Sequence, residues 1–361
     1  MKISNRIQDL IILAKLILPY EDFKNTLLDS DSKQMTEGLG EKALETAGFI
    51  YISKSNTLYQ KNKEFIFDFS GSYSPSSDYA RDSFYYFNNP DGSMRWIFPV
   101  NLKYPTFLGF YNITSWKSKG IAFLIQCAFR LGLQKFIVSG TFDLYSKSEP
   151  CFKKYLTNQF SGNYSMFMGT VGPNRKVVFE MNKFGKTTHF AKAALTEAGS
   201  ALLQNEFYKL DKADDLNLKH ISTPYSFLLN DNRLLIQSSV FTLGCVRSKN
   251  WTPVHSIAKL EMEEVTISKT VLASDFLLKI KTRVDKIIHT PNLDPLFSSL
   301  SIKVKKLCGQ VNANTELLPT SFCHNDFTPW NMYLAPGYLK AYDWELAGYA
   351  PVLTDLFHFH I

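Results

Sequence analysis

Ser321-Phe322-Cys323-His324-Asn325-Asp326-Phe327-Thr328-Pro329-Trp330-Asn331-Met332-Tyr333-Leu334-Ala335-Pro336-Gly337-Tyr338-Leu339-Lys340-Ala341-Tyr342-Asp343-Trp344-Glu345 decides how the rest of this chain is read. Ala335-Pro336-Gly337 is a turn signal between two short apolar segments, so the stretch predicts a hairpin with Pro336-Gly337 at its tip. Such a hairpin sets Asn331, before its first strand, beside Asp343, after its second, and an amide oxygen and a carboxylate converge. That pair suits a hard cation. Mg²⁺ takes few protein oxygens and completes its shell with water and phosphate oxygens, so one Asn and one Asp suffice when a nucleoside triphosphate supplies the rest. Asp326 stands five residues before Asn331 in a loop. From there it can face a substrate hydroxyl as the base that takes its proton. The competing structural reading makes His324, Asp326 and Asn331 loop residues beside an aromatic core and Asp343 a helix cap, which requires four coincidences at once.

The order H-x-D-x-x-x-x-N from His324 to Asn331, followed by a hairpin ending in Asp343, resembles the catalytic-loop and metal-loop pair of the protein-kinase-like fold. In detail, His324-Asn325-Asp326-Phe327-x-Pro329-x-Asn331 with Asp343-Trp344-Glu345 resembles the aminoglycoside phosphotransferase and choline kinase family more closely than the protein kinases. Gly348, Pro351 and Asp355 extend the likeness, which covers roughly residues 164 to 361 and leaves 1 to 150 unaddressed. The resemblance implies an α+β protein with a bilobal protein-kinase-like fold. An antiparallel-sheet N-lobe (151–240) and a mostly helical C-lobe (241–361) would follow an additional mixed α/β domain (1–150) of unassigned role.

Site roles follow from the same resemblance. Asp326 and His324 would be catalytic, and Asn331 and Asp343 would hold Mg²⁺. Gly169 and Gly172, in Gly169-Thr170-Val171-Gly172-Pro173, would belong to the loop over the ATP phosphates, where glycine lets backbone N–H groups come close. Lys192 would pair the α- and β-phosphates from the third strand of the lobe. Lys186 competes for that role, but Lys192 is flanked by Phe190, Ala191, Ala193 and Ala194, and a lysine there calls for a charged partner. Glu206 on the following helix is that partner by family analogy. Gln237-Ser238-Ser239-Val240 would be the hinge, with Ser238 and Val240 meeting the adenine edge. Gly185-Lys186-Thr187 is no P-loop, because Glu180 stands where that motif needs Gly. His358 and His360, two apart on a helix, face different directions and share no ligand role.

Composition bounds the rest. With 361 residues, 45% hydrophobic and 20% charged, 29 Phe and 18 Tyr, the chain is globular and long enough for two or three domains. A net charge of +7 permits an anionic ligand but is too thin to argue nucleic-acid binding. Five dispersed cysteines without a C-x-x-C pair suggest neither disulfides nor zinc and fit a reducing cytoplasm. Arg6, Asp9 and Lys15 break any signal-peptide core, and Arg130 and Lys135 interrupt the longest apolar run, so no membrane span is expected.

Periodicity predicts helices at 6–18, 39–47, 118–131, 196–210 and 274–288. It predicts strands at 64–69, 84–87, 95–100, 135–138, 165–170, 177–181, 187–195, 225–229 and 233–240. The expectation is therefore an ATP- and Mg²⁺-dependent phosphotransferase acting on the hydroxyl of a small molecule (aminoglycoside, choline, sugar or similar). The rival is a pseudokinase or nucleotide-binding scaffold, suggested by a C-lobe that ends at Ile361, eighteen residues after Asp343, where the family continues through further helices. Glu261, Glu263 and Glu264 form the one acidic cluster, read as a solvated loop or strand edge rather than a pocket for a cationic acceptor.

Overall fold

The computed structural model describes residues 76–110, 115–147, 162–169, 176–229, 234–239, 245–267, 269–289, 294–310 and 317–360, together with 49–52, 57–58, 65–69 and the single positions 9, 13, 71, 74, 153, 156 and 160. Strands β1 (Phe49–Ile52), β2 (Thr57–Leu58), β3 (Phe65–Asp68), β4 (Ala80–Asn88), β5 (Met94–Pro99), helix α1 (Trp116–Arg130) and β6 (Gly140–Ser146) come first. They are followed by β7 (Asn163–Phe167), β8 (Lys176–Lys183), β9 (Lys186–Ala194), α2 (Glu197–Asp215), β10 (Ile221–Ser222), β11 (Ser226–Leu229) and β12 (Leu234–Ser238). The remainder is β13 (Val246–Arg247), α3 (Pro253–Thr266), β14 (Lys269–Leu272), α4 (Ala273–Ile288), α5 (Pro295–Gln310), β15 (Leu317–Cys323), β16 (Met332–Ala335), β17 (Tyr338–Ala341), β18 (Gly348–Pro351) and α6 (Thr354–His360). This is a mixed α+β architecture.

The chain divides into two units, Met1–Phe207 with Tyr225–Phe241, and Tyr208–Pro224 with Thr242–Ile361. In the first, eleven strands form one sheet in the order β11-β12-β9-β8-β7-β5-β4-β6-β3-β1-β2. Strands from either side of residue 150 share this sheet, because β5 pairs with β7 through Trp96–Phe167 and Ile97–Met166. Alternation along β8 and β9 turns Val177, Phe179, Met181, Ala191 and Ala193 into a core with Met166, Leu234 and Ile236. A second cluster of Trp96, Phe98, Phe107 and Phe129 packs α1 onto β5, with the Phe98 and Phe107 rings stacked at 5.3 Å between centroids.

The second unit holds a four-stranded sheet, β10-β17-β16-β13, and a three-stranded one, β14-β15-β18. The expected hairpin about Pro336-Gly337 is β16–β17, with Met332 opposite Ala341, and Gly337 has the positive φ of 83° that its turn needs. Phe322, Phe327, Met332, Leu339 and Trp344 are fully buried around it with Ala258 and Met262 of α3. Among the described residues no helix is long and apolar enough to cross a membrane.

Two local expectations fail. Residues 135–138 do not form a buried strand: Gln134–Phe136 is a 3-10 turn, and the strand begins at Gly140. Buried Gln134 fixes the turn by donating to Leu102 O and Phe129 O, a side-chain anchor that a short apolar run does not disclose. Glu261, Glu263 and Glu264 lie on α3, not in a loop or strand edge, because Thr252 and His255 form a capping box and Pro253 opens the helix. Of the helices expected at 6–18 and 39–47, only Asp9 and Leu13 fall among the described residues, both helical.

Candidate active site

In the second unit, β15 delivers the chain into the loop His324 to Asn331, and the buried carboxylate of Asp355 on α6 fixes its entry. Its Oδ2 accepts the backbone N–H of His324 at 3.0 Å and its Oδ1 that of Asn325 at 2.8 Å. Asn325 takes a left-handed φ of 61°, tolerated best by Asn, Asp and Gly, and its Nδ2 donates to Leu346 O. Lys259 of α3 neutralises Asp355 at 3.2 Å and also lies 3.4 Å from Glu263. Burial works against the Lys259 ammonium, but Asp355 first, then the Cys323 sulfur and Glu263, outweigh it and hold the amine above its ordinary range. The same burial pushes the Cys323 thiol up.

His324 is buried with its tautomer set by two partners. Tyr342 O faces Nε2 at 2.9 Å and must accept, while the Asp326 N–H donates to Nδ1 at 3.3 Å. The imidazole thus ties the start of the loop to the end of β17 and orients the backbone of Asp326. Its ring also packs 4.7 Å from the buried Trp344. Asp326 Oδ2 accepts Asn331 Nδ2 at 2.8 Å, and Asp326 O accepts the same amide at 3.1 Å. Because both neighbours are acceptors, Nδ2 must face them, and the amide's Oδ1 is the end left to meet a cation.

Across the hairpin, the Tyr342 N–H donates to Asn331 O at 3.1 Å, and the Tyr342 hydroxyl donates to Trp330 O. Asp343 follows at φ 65°, ψ 55°, a left-handed conformation for a non-glycine residue, just where the chain leaves β17. A hard carboxylate and a hard amide oxygen at adjacent ends of one hairpin are a fitting donor set for Mg²⁺.

In the first unit, Lys192 on β9 donates to Glu206 Oε1 on α2 at 2.6 Å, and Glu206 is fully buried. Gln237 on β12 donates to the same oxygen at 2.9 Å, while Glu206 Oε2 is buried without a hydrogen-bond partner. The flanking apolar residues signal the ion pair. The part taken by Gln237 is not signalled, since it depends on β12 pairing with β9, which places Gln237 opposite Phe190. Ser238 uses its N–H on Tyr225 O and accepts the Tyr225 N–H at Oγ, closing the β11–β12 hairpin. Gly169 has φ 69° at the end of β7, whereas Gly172 and Val240 lie outside the described residues.

Sequence reasoning missed Lys259 altogether and took Asp355 only as part of a pattern. Lys259 carried the same signal as Lys192, a lysine between Ala258 and Met262 on the apolar face of a helix.

Residues 308–360 match the model of the Phosphotransferase enzyme family. No curated protein matches the chain. Among solved structures, the streptomycin–ATP ternary complex of APH(2'')-IIa is 13% identical, with 56% of this chain and 72% of that one covered at a TM-score of 0.40. Macrolide 2'-phosphotransferase type I is 12% identical, covering 54% and 69%, at 0.37. A choline/ethanolamine kinase family protein from Mesorhizobium loti is 12% identical, covering 54% and 62%, at 0.35.

Proposed function

With residues 308–360 phosphotransferase-like in sequence, we propose that the chain transfers the γ-phosphate of ATP to a hydroxyl of a small molecule, using Mg²⁺ and a bilobal kinase-like fold. The observation that carries this reading is the loop from His324 to Asn331, in which a carboxylate that can act as base is oriented at both ends. The Asn331 amide holds Asp326 Oδ2, and the His324 ring holds the Asp326 backbone.

Phosphoryl transfer asks little covalent chemistry of a protein; positioning and charge neutralisation lower the barrier. Asp326 would accept the proton of the acceptor hydroxyl as the oxygen attacks phosphorus. Asn331, through Oδ1, and Asp343 would hold Mg²⁺, which when bound neutralises phosphate charge. Lys192, held by Glu206 and by the arrangement of β9, would pair the α- and β-phosphates, and Gly169 would open the loop over them. Ser238 and Val240 would lie along the adenine edge. The additional residues 1–150 have no part in this proposal.

The test is a panel of hydroxyl acceptors, including aminoglycosides, choline, sugars and nucleosides, read by ATP consumption with Asp326→Ala as the control. Turnover with one class, lost in the variant while ATP still binds by calorimetry, supports the reading. Turnover that survives Asp326→Ala removes Asp326 from the catalytic role.

A further inference from the structure

Helix α1 is apolar on the side that faces the core and also on the side that faces water. Ala122 and Phe129 are buried against the Trp96–Phe98–Phe107 cluster. On the outer side Trp116 is 80% exposed, Phe123 64% and Leu124 67%. At about 100° per residue these three fall within an arc of roughly 100°, opposite Phe129. The apolar surface continues past the helix. Buried Gln134 pins the following turn inward, and Leu131, Leu133, Phe136 and Ile137 around it are exposed.

The charges within this segment are all of one sign. Residues 116–137 contain Lys117, Lys119, Arg130 and Lys135 and no Asp or Glu, a local charge of +4 in a chain of +7. On the helical wheel Lys119 and Arg130 border the stripe on the Phe123 side and Lys117 borders it beside Leu124. The Lys117 ammonium lies 5.7 Å from the Trp116 ring centroid and that of Lys135 4.9 Å from the Phe136 ring. Cations bracketing exposed aromatic and aliphatic side chains, without an acid among them, are the composition of an interfacial helix. A second copy of the chain fits poorly, since a two-fold contact would set +4 against +4 in a drying interface.

We propose that the α1 face, with the turn that follows it, docks on an anionic lipid surface. Fifteen residues make a helix of about 22 Å, too short to cross a hydrocarbon core of about 30 Å. It lies along the interface instead, with Trp116, Phe123 and Leu124 at the level of the acyl boundary and the lysines among the headgroups. The docking is independent of the phosphotransferase reading, because none of these residues belongs to the candidate active site.

The experiment is co-sedimentation of the full chain with vesicles of mixed phosphatidylglycerol and phosphatidylcholine, beside vesicles of phosphatidylcholine alone. We expect binding to the anionic vesicles that high salt weakens, and quenching of Trp116 by brominated acyl chains that Trp116→Phe removes. Phe123→Ser with Leu124→Ser should lower partitioning at least about tenfold, since burying the two side chains together is worth more than the about 1.4 kcal/mol that a tenfold change represents. Should that variant not fold by circular dichroism, Lys117→Glu with Lys119→Glu, both exposed, should lower it by at least about tenfold as well. Absence of sedimentation, binding that ignores lipid charge, or unquenched Trp116 would each overturn the proposal. So would dimerisation in light scattering that the Phe123→Ser, Leu124→Ser variant abolishes.

Discussion

Asp355 accepts the main-chain N–H of Asn325 at 2.8 Å across thirty residues of sequence, and by doing so fixes the left-handed residue from which the loop bearing Asp326 departs. A carboxylate this buried is tolerable because Lys259 is 3.2 Å away and two backbone amides complete its hydrogen bonding. Asp355 is thus a positioning residue, set behind the loop rather than in it.

Removing its charge tests that role. Asp355→Asn leaves the buried Lys259 with Glu263 as its one carboxylate and the Cys323 sulfur as a weak acceptor, and turns one amide hydrogen toward donors. We expect a loss of about 3 kcal/mol of stability in urea unfolding. Turnover should fall with little change in the acceptor KM, because the base is displaced while the acceptor's own contacts remain. A variant as stable as the parent would mean that the Lys259–Asp355 pair holds nothing.

Lys192→Met removes the partner of a fully buried carboxylate, leaving Glu206 with Gln237 alone. We expect the variant to unfold at lower denaturant by the equivalent of about 3 kcal/mol. The thermal stabilisation given by Mg²⁺-ATP should shrink as well, since binding stabilises only in proportion to affinity. The double variant Lys192→Met, Glu206→Gln should recover part of the stability but none of the nucleotide effect. If it recovers both, Lys192 has a structural role only.

How much of this could be read beforehand depends on the range of the contacts involved. The β16–β17 hairpin is encoded by turn chemistry within a few residues, so its register, which sets Met332 opposite Ala341 and Asn331 beside Tyr342, follows from spacing alone. Lys192 betrays its ion pair through apolar neighbours, a local signal for a contact fourteen residues away. Asp355 and Lys259 meet across 96 residues, through the packing of α3 and α6 behind β15, and nothing local to either residue names the other. The strand expected at 135–138 failed for a related reason: three apolar residues after a lysine fit a strand or a turn equally well, and a buried amide side chain decided. Likewise β7 reads as the first strand of a new sheet, whereas its free edge is filled by β5 from far upstream.

Asp343→Asn keeps the size of the side chain but removes a full negative charge that the end of the hairpin offers a cation, leaving the nearby carboxylate of Glu345 in place. We expect a higher Mg²⁺ requirement at fixed ATP and a loss of turnover that saturating Mg²⁺ restores only in part. Mn²⁺, which binds amide and carboxylate oxygens more strongly, should restore more. An unaltered Mg²⁺ titration would place the metal elsewhere.

His255 gives the second unit a pH dependence whose sign can be stated. It is fully buried at the start of α3. Nδ1 accepts the Thr252 N–H at 3.0 Å and Nε2 faces Ser248 Oγ at 2.8 Å, a pair of contacts that suits the neutral ring. Burial lowers its pKa from 6.5 to about 4. Between those two values the unfolded chain holds a proton that the folded chain refuses, so stability is fully present above pH 6.5 and is lost as the pH falls toward about 4. The loss amounts to no more than about 3 kcal/mol. Chemical unfolding of the parent and of His255→Gln from pH 7 to 4 isolates the contribution: Gln keeps an acceptor for Thr252 and a donor for Ser248 but does not titrate. The difference in unfolding free energy between the two should therefore shift in favour of the variant as the pH drops through this window. A constant difference would mean that His255 titrates alike in both states and that its burial is not felt by the proton.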